Sequence, residues 1–167
     1  VDDRAHLVGV LSRRDIITAY HRRMLDRTPA EETAPDEEQE CSLVDAIQRG
    51  GIVTGVSAKT PQQALNQIIA RAELPHGCDR GRLLRLLLER EDLGSTGVGD
   101  GISVPHPHTD DLGVILRPKV IIGLLKKPVD WGSFDGKKVD TVCVLLCPSG
   151  DMHLKLLSDL ARSLIDP

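Results

Sequence analysis

The sequence predicts an α/β sandwich built around one sheet, and three observations carry that prediction. Short aliphatic runs at 52–56, 102–104, 120–125 and 141–147 alternate with stretches of helical periodicity. Most of those stretches open on a residue suited to capping a helix. The composition is globular, with 40% hydrophobic and 28% charged residues over a length of 167 that suits one domain.

The elements follow in order. A short helix is expected from Ser42 towards Arg49, stopped by Gly50-Gly51. After the strand at 52–56, Thr60-Pro61-Gln62-Gln63 supplies an N-cap, a proline at N1 and a glutamine at N3, so a helix runs to about Ala72. Asp79 caps another, ending near Glu91. A glycine-rich loop leads into the three later strands, and a final helix begins near Asp151.

Charge divides the chain into three parts. Residues 1–27 hold six arginines against four acids, and residues 28–41 hold six acids, two prolines and no basic side chain. The second stretch cannot bury enough apolar surface to offset its ordering entropy and reads as a disordered acidic linker. The remainder balances 15 basic against 15 acidic residues, so a boundary near Ser42 is expected. The chain opens at Val1 without a methionine and stops at Pro167 just after a helical pattern, which reads as a fragment of a longer polypeptide.

Composition excludes several function classes. A net charge of −4 provides no basic field for a nucleic-acid backbone, and Tyr20, Trp131 and Phe134 are too few for base stacking. The longest apolar runs, 120–125 and 142–147, are too short for membrane insertion. Cys41, Cys78, Cys143 and Cys147 form neither a C-x-x-C pair nor a dense framework, which suggests reduced thiols and a cytoplasmic location.

Two helices place a polar residue on the wrong face. At 100° per residue with Leu83 at zero, Leu84, Leu86, Leu87 and Leu88 fall at about 100°, 300°, 40° and 140°. Arg82, Arg85 and Glu89 gather opposite them, whereas Arg90, near 340°, falls among the leucines. A guanidinium there needs an anionic partner or a route to solvent. In the last helix, with His153 at zero, Leu157, Leu160 and Leu164 lie within about 40° of it. His153 therefore sits in the apolar stripe and in the first turn, where the helix dipole attracts anions. The pattern alone also allows a satisfied core histidine and an Arg90 that snorkels from a fraying end.

The third polar centre is the stretch GSTGVGDGISVPHPH at 94–108. Its glycines let backbone approach a ligand, yet it lacks the Gly-Lys-Ser/Thr of a P-loop. It precedes a strand, whereas a dinucleotide fingerprint joins strand to helix. Pro105 ends the strand and throws His106 onto the carboxyl edge of the sheet, where such sheets bind ligands.

Near the start, LVGVLSRRDII resembles the closing segment of a CBS domain, in which the aspartate, here Asp15, often contacts an adenosine ribose. A capped helix after a strand explains Asp15 as well, and no nucleotide binding is expected of residues 1–27. The stretch LLLEREDLGSTGVGDGISVPHPH is similar to the phosphorylation-site signature of the mannitol/fructose-type enzyme IIA domain of the bacterial phosphotransferase system, including its nitrogen-regulatory branch. The similarity continues through VDWGSFDGKKVDTVCVLLCPSGDMHLKLLSDLARSL and so covers nearly all of 42–167.

The resemblance implies a mixed β-sheet flanked by helices on both faces, a fold that in the family usually continues with another helix. It implies that His106 accepts a phosphoryl group from the phosphocarrier HPr or a paralogue. The group then passes to a IIB-type acceptor or serves as a regulatory signal, and no cofactor is needed. Arg90 matches the family's arginine and His153 its second histidine. The chemistry suits them: a neutral imidazole attacks, a planar cation neutralises the phosphoryl oxygens, and a second imidazole donates an N–H. Ser95, Thr96, Gly97 and Gly99 would add hydroxyl and backbone donors to the phosphate.

His108 and the Thr-Asp-Asp after it depart from the family pattern. They also raise a competing reading, in which the H-x-H-x-D cadence of His106, His108 and Asp110, with His153, holds zinc for hydrolysis. That reading leaves Arg90 without a purpose. A third makes the domain an interaction module that is never phosphorylated.

Overall fold

The computed structural model describes residues 42–107 and 113–165. The CBS-like segment, the acidic linker, His108, Asp110 and Asp111 lie outside them.

Among the described residues, four helices and five strands occur in the order α1 (Leu43–Gly50), β1 (Ile52–Val56), α2 (Pro61–Arg71), α3 (Arg80–Asp92), β2 (Gly97–Gly99), β3 (Ile102–Ser103), β4 (Lys119–Val129), β5 (Val139–Leu146) and α4 (Gly150–Ile165). The caps read from the sequence are in place. Ser42 Oγ accepts the Asp45 N–H at 3.1 Å, Thr60 Oγ1 the Gln63 N–H at 3.2 Å, and an Asp79 carboxylate oxygen the Arg82 N–H at 3.0 Å. That last bond chiefly holds the Asp79 carboxyl below the usual carboxylate range. Gln63 reaches back one residue past the cap, accepting the Lys59 N–H at 3.0 Å.

The sheet is mixed, with strand order β1-β4-β5-β3-β2. β1 runs parallel to β4 and β3 parallel to β5, while β4–β5 and β2–β3 are antiparallel. Strand alternation sorts the aliphatics into two cores. Ile121, Val142, Val144 and Leu146 face α2 and α3, meeting Leu65, Ile68, Ile69, Leu83 and Leu87. Val120, Ile122, Cys143 and Leu145 face the opposite way onto Leu43 and Ile47 of α1 and Leu156 and Leu160 of α4. Helices therefore cover both faces, as expected.

The glycine-rich stretch is not wholly a loop. β2 and β3 pair as a hairpin whose two-residue turn, Asp100-Gly101, has φ of 48° and 78°. Positive φ at both positions is the requirement of a type I′ turn, and Asp-Gly meets it. Asp135 braces the turn by accepting the Asp100 N–H at 2.9 Å, and the Lys137 N–H as well at 3.0 Å. Those two bonds hold its carboxyl below the ordinary range.

α1 lies unusually close to the sheet. A β-carbon on Gly50 would overlap the Val120 carbonyl, a backbone group that cannot swing aside. Arg49 and Lys119 clamp this approach: Arg49 donates to Pro118 O at 3.1 Å and Lys119 Nζ to Arg49 O at 2.8 Å. Burial of that ammonium pushes its pKa down. Gly50→Ala should therefore lower the unfolding free energy by roughly 1–3 kcal/mol. Gly150→Ala, whose β-carbon meets open space, should be neutral or raise it by up to about 1 kcal/mol. Urea unfolding of both variants checks the contrast; equal stability of Gly50→Ala and wild type would contradict the close approach.

Candidate functional site

β3 and β5 run parallel, so their carboxyl ends share one edge of the sheet. His106 follows β3 there, and α4, which follows β5, brings its first turn to the same edge. Pro105 interrupts the ladder because it has no N–H, yet its carbonyl still accepts the Leu145 N–H at 2.9 Å. On the other side, the Val104 N–H donates to Thr96 O at 2.9 Å. The backbone is thus pinned on two sides immediately before the histidine.

The structure brings Arg90, His106 and His153 together, all three half-buried. Arg90 Nε donates to His106 Nε2 at 3.3 Å, and an outer guanidinium nitrogen donates to Gly94 O at 3.1 Å. The His106 and His153 rings lie 4.7 Å apart, centroid to centroid, tilted by 48°. On the far side of its ring, His106 Nδ1 is 2.9 Å from Val104 O. A carbonyl can only accept, so Nδ1 carries the proton and Nε2 presents its lone pair to Arg90.

His153 needs a correction. Leu156 and Leu160 are fully buried and Leu157 only partly, so the apolar stripe is centred to one side of His153. The histidine stands on its flank. From there the ring still meets that of His106. Its backbone N–H donates to Ser149 O at 3.0 Å, which places it in the opening turn of α4.

The expected phosphate donors of the loop are turned elsewhere. Ser95 Oγ donates to Trp131 O at 2.5 Å and accepts the Gly97 N–H at 3.0 Å. Thr96 gives both its N–H and its hydroxyl to the Glu91 carboxylate, at 2.8 and 2.5 Å. Gly99 lies against Phe134 and Asp135, where a β-carbon would meet the phenyl ring at 3.1 Å. The Ser95 hydroxyl, both Thr96 donors and the Gly97 N–H are therefore satisfied by protein acceptors. Sequence reasoning missed Glu91, although it directly follows Arg90.

The zinc reading meets a physical obstacle at His106. With Nδ1 held by a carbonyl, Nε2 is the nitrogen left for a metal, and it faces a guanidinium that would repel a divalent cation. Among the described residues, no group of three or more His, Cys, Asp or Glu side chains is placed to hold a metal ion. Nor is any described helix long and apolar enough to cross a membrane.

Arg90, His106 and His153 thus meet at the carboxyl edge of a mixed sheet with helices on both faces. The chain belongs to the family described as phosphoenolpyruvate-dependent sugar phosphotransferase system, EIIA 2, whose model matches residues 46–167. A nitrogen regulatory protein of Bradyrhizobium diazoefficiens is 35% identical over 129 residues, covering 74% of this chain and 80% of that protein. The crystal structure of nitrogen regulatory protein IIA-Ntr from Neisseria meningitidis is similar with a TM-score of 0.57 and 27% identity, over 66% of this chain and 75% of that one. The mannitol enzyme IIA of Escherichia coli, solved in complex with phosphorylated mannitol enzyme IIB, shares the fold with a TM-score of 0.55 and 21% identity, over 69% of this chain and 78% of that one.

One residue of the site strand is out of keeping with its surroundings. Ser103 is fully buried, and its hydroxyl has no hydrogen-bond partner among the described residues. Leaving a buried hydroxyl unsatisfied costs about 1–3 kcal/mol, so Ser103→Ala should raise the unfolding free energy by about 1 kcal/mol. A lower urea midpoint for that variant would show that the hydroxyl is engaged.

Proposed function

We propose that this domain carries a phosphoryl group on Nε2 of His106, taking it from an HPr-like phosphocarrier. It either passes the group to a IIB-type acceptor or holds it as a regulatory signal. One observation carries the reading: the Val104 carbonyl accepts a hydrogen bond from Nδ1–H, which leaves Nε2 with its lone pair facing a fixed cation.

The transfer proceeds by exchange of one P–N bond for another. The Nε2 lone pair attacks phosphorus while the bond to the donor's imidazole breaks, and the electrons of that bond return to the donor ring. The Nδ1 proton stays on His106, and the Val104 carbonyl stabilises the positive charge that develops on the ring. Phosphoryl transfer asks mainly for positioning and charge stabilisation. Arg90 supplies the charge: as phosphorus approaches Nε2, the Nε–H turns from the lone pair to the equatorial oxygens, which its planar fork suits. His153 donates a ring N–H to the same group. The amino end of α4 beside it adds a favourable dipole for the anion.

On this reading residues 42–167 form the carrier domain, tethered by the acidic stretch 28–41 to a CBS-like segment at 1–27, in the cytoplasm where its donor resides. Two features favour regulation over sugar uptake: the CBS-like segment, and relatives named as nitrogen regulatory proteins. The enzyme IIB bound to a protein of the same fold supports a IIB-type acceptor as the other destination.

The chain incubated with phosphoenolpyruvate, enzyme I and HPr should gain one acid-labile phosphoryl group. His106→Ala should gain none, and Arg90→Ala should accept it roughly 10²–10³-fold more slowly. A wild-type chain that stays unmodified, or an adduct that survives in His106→Ala, would overturn the assignment.

A further inference from the structure

Arg90 and Glu91 are neighbours on the last turn of α3, and they reach different parts of the backbone that leads to His106. Arg90 touches the imidazole itself. Glu91 grips Thr96, with one carboxylate oxygen on the N–H at 2.8 Å and the other on the hydroxyl at 2.5 Å. The Thr96 carbonyl accepts the Val104 N–H, and the Val104 carbonyl accepts the His106 Nδ1–H, both at 2.9 Å. These links close a ring: Arg90 to Glu91 through the chain, then Thr96, Val104 and His106, and from His106 back to Arg90. Guanidinium and imidazole are therefore set against each other from both ends.

The chemistry of position 91 matters as much as its place. Thr96 is only 5% exposed and brings two donors, so it requires two acceptors from one partner. A carboxylate has them, whereas an amide offers one acceptor and a competing donor. The consequence reaches His106. A free imidazole side chain in water leans to the Nε2–H tautomer, which has no lone pair at Nε2. The protein must hold the opposite tautomer, and the contact with the Val104 carbonyl is what holds it.

We propose that Glu91 is a positioning residue: by engaging both donors of Thr96 it keeps the Val104 carbonyl on Nδ1 of His106, and so keeps Nε2 open for the phosphoryl group. This rests on the reading of His106 as the phosphoryl acceptor. The test compares the full chain with Glu91→Ala, Thr96→Val and Thr96→Ser by two measurements. Long-range ¹H–¹⁵N NMR, at a pH where the ring is neutral, reports which nitrogen of His106 carries the proton. Initial rates of phosphoryl uptake from phosphorylated HPr report the consequence.

Glu91→Ala and Thr96→Val should show a larger Nε2–H fraction and accept roughly 10–100-fold more slowly, while Thr96→Ser keeps the wild-type tautomer and rate. Folded Glu91→Ala and Thr96→Val chains with an unchanged tautomer overturn the proposal, even where uptake slows, because the loss would then run through stability or Arg90 alone. Should Glu91→Ala fail to fold, the near-isosteric Thr96→Val against Thr96→Ser decides. A wild-type chain that takes up no phosphoryl group would sink the functional reading, while the tautomer comparison would still judge the role of Glu91.

Discussion

The bond between Nδ1 of His106 and the carbonyl of Val104, two residues earlier, sets the chemical character of the site. An imidazole with one nitrogen held by a carbonyl can use only the other as a base or nucleophile. The bond is useful because the carbonyl itself does not move. Val104 is tied through its N–H to Thr96, and Pro105 through its carbonyl to β5. The histidine therefore projects from the braced end of a strand, although it lies outside any regular element, and its geometry is inherited from the sheet. The parallel pairing of β3 with β5 adds the second histidine, since the chain leaving β5 turns directly into α4 at the same edge.

The two flanking helices present opposite ends. α3 contributes its carboxyl end, where a cation such as Arg90 is favoured, and α4 its amino end, where an anion is favoured. On the proposed function, a phosphoryl group arriving between them would meet positive charge from the guanidinium and the positive end of the α4 dipole. The loop from 95 to 99 has a different task. Its polar groups join α3 through Glu91 and the 131–135 segment through Trp131, and Asp135 holds the adjoining turn at Asp100, so that β2 and β3 lie at a fixed distance from the arginine. A loop rich in Gly, Ser and Thr resembles an anion cradle in composition, but its donors serve the fold.

Arg90 and His153 were legible in the sequence because helical periodicity exposes any polar residue on an apolar face. The same arithmetic misjudged the flank on which His153 stands, since it could not know that Leu156 would be buried more deeply than Leu157. β2 was hidden for a different reason. Three residues reading Gly-Val-Gly have no measurable periodicity, and only the Asp-Gly turn after them signals a hairpin. The later half of β4 carries Lys126, Lys127 and Pro128 and so lies beyond the apolar run at 120–125; the register shifts between Leu124 and Val129, so a residue without an N–H is tolerated there. Glu91 escaped notice because residue type gives the capacity to accept hydrogen bonds, whereas the identity of the donors is set by the fold.

The choice of arginine at position 90 follows from the same constraints. One of its outer nitrogens is anchored on Gly94 O while Nε rests on His106, so the side chain has a fixed pivot and a movable contact. A lysine ammonium could occupy either position but could not hold the pivot and keep a flat set of donors directed at three phosphoryl oxygens. On the proposed function, with the pivot retained, the shift from the histidine lone pair to the arriving oxygens would be a rotation about an existing hydrogen bond. The resting contact at 3.3 Å is long for a hydrogen bond of this kind, and on the proposed function a long, readily exchanged bond suits an arginine that would give up the nitrogen to phosphorus.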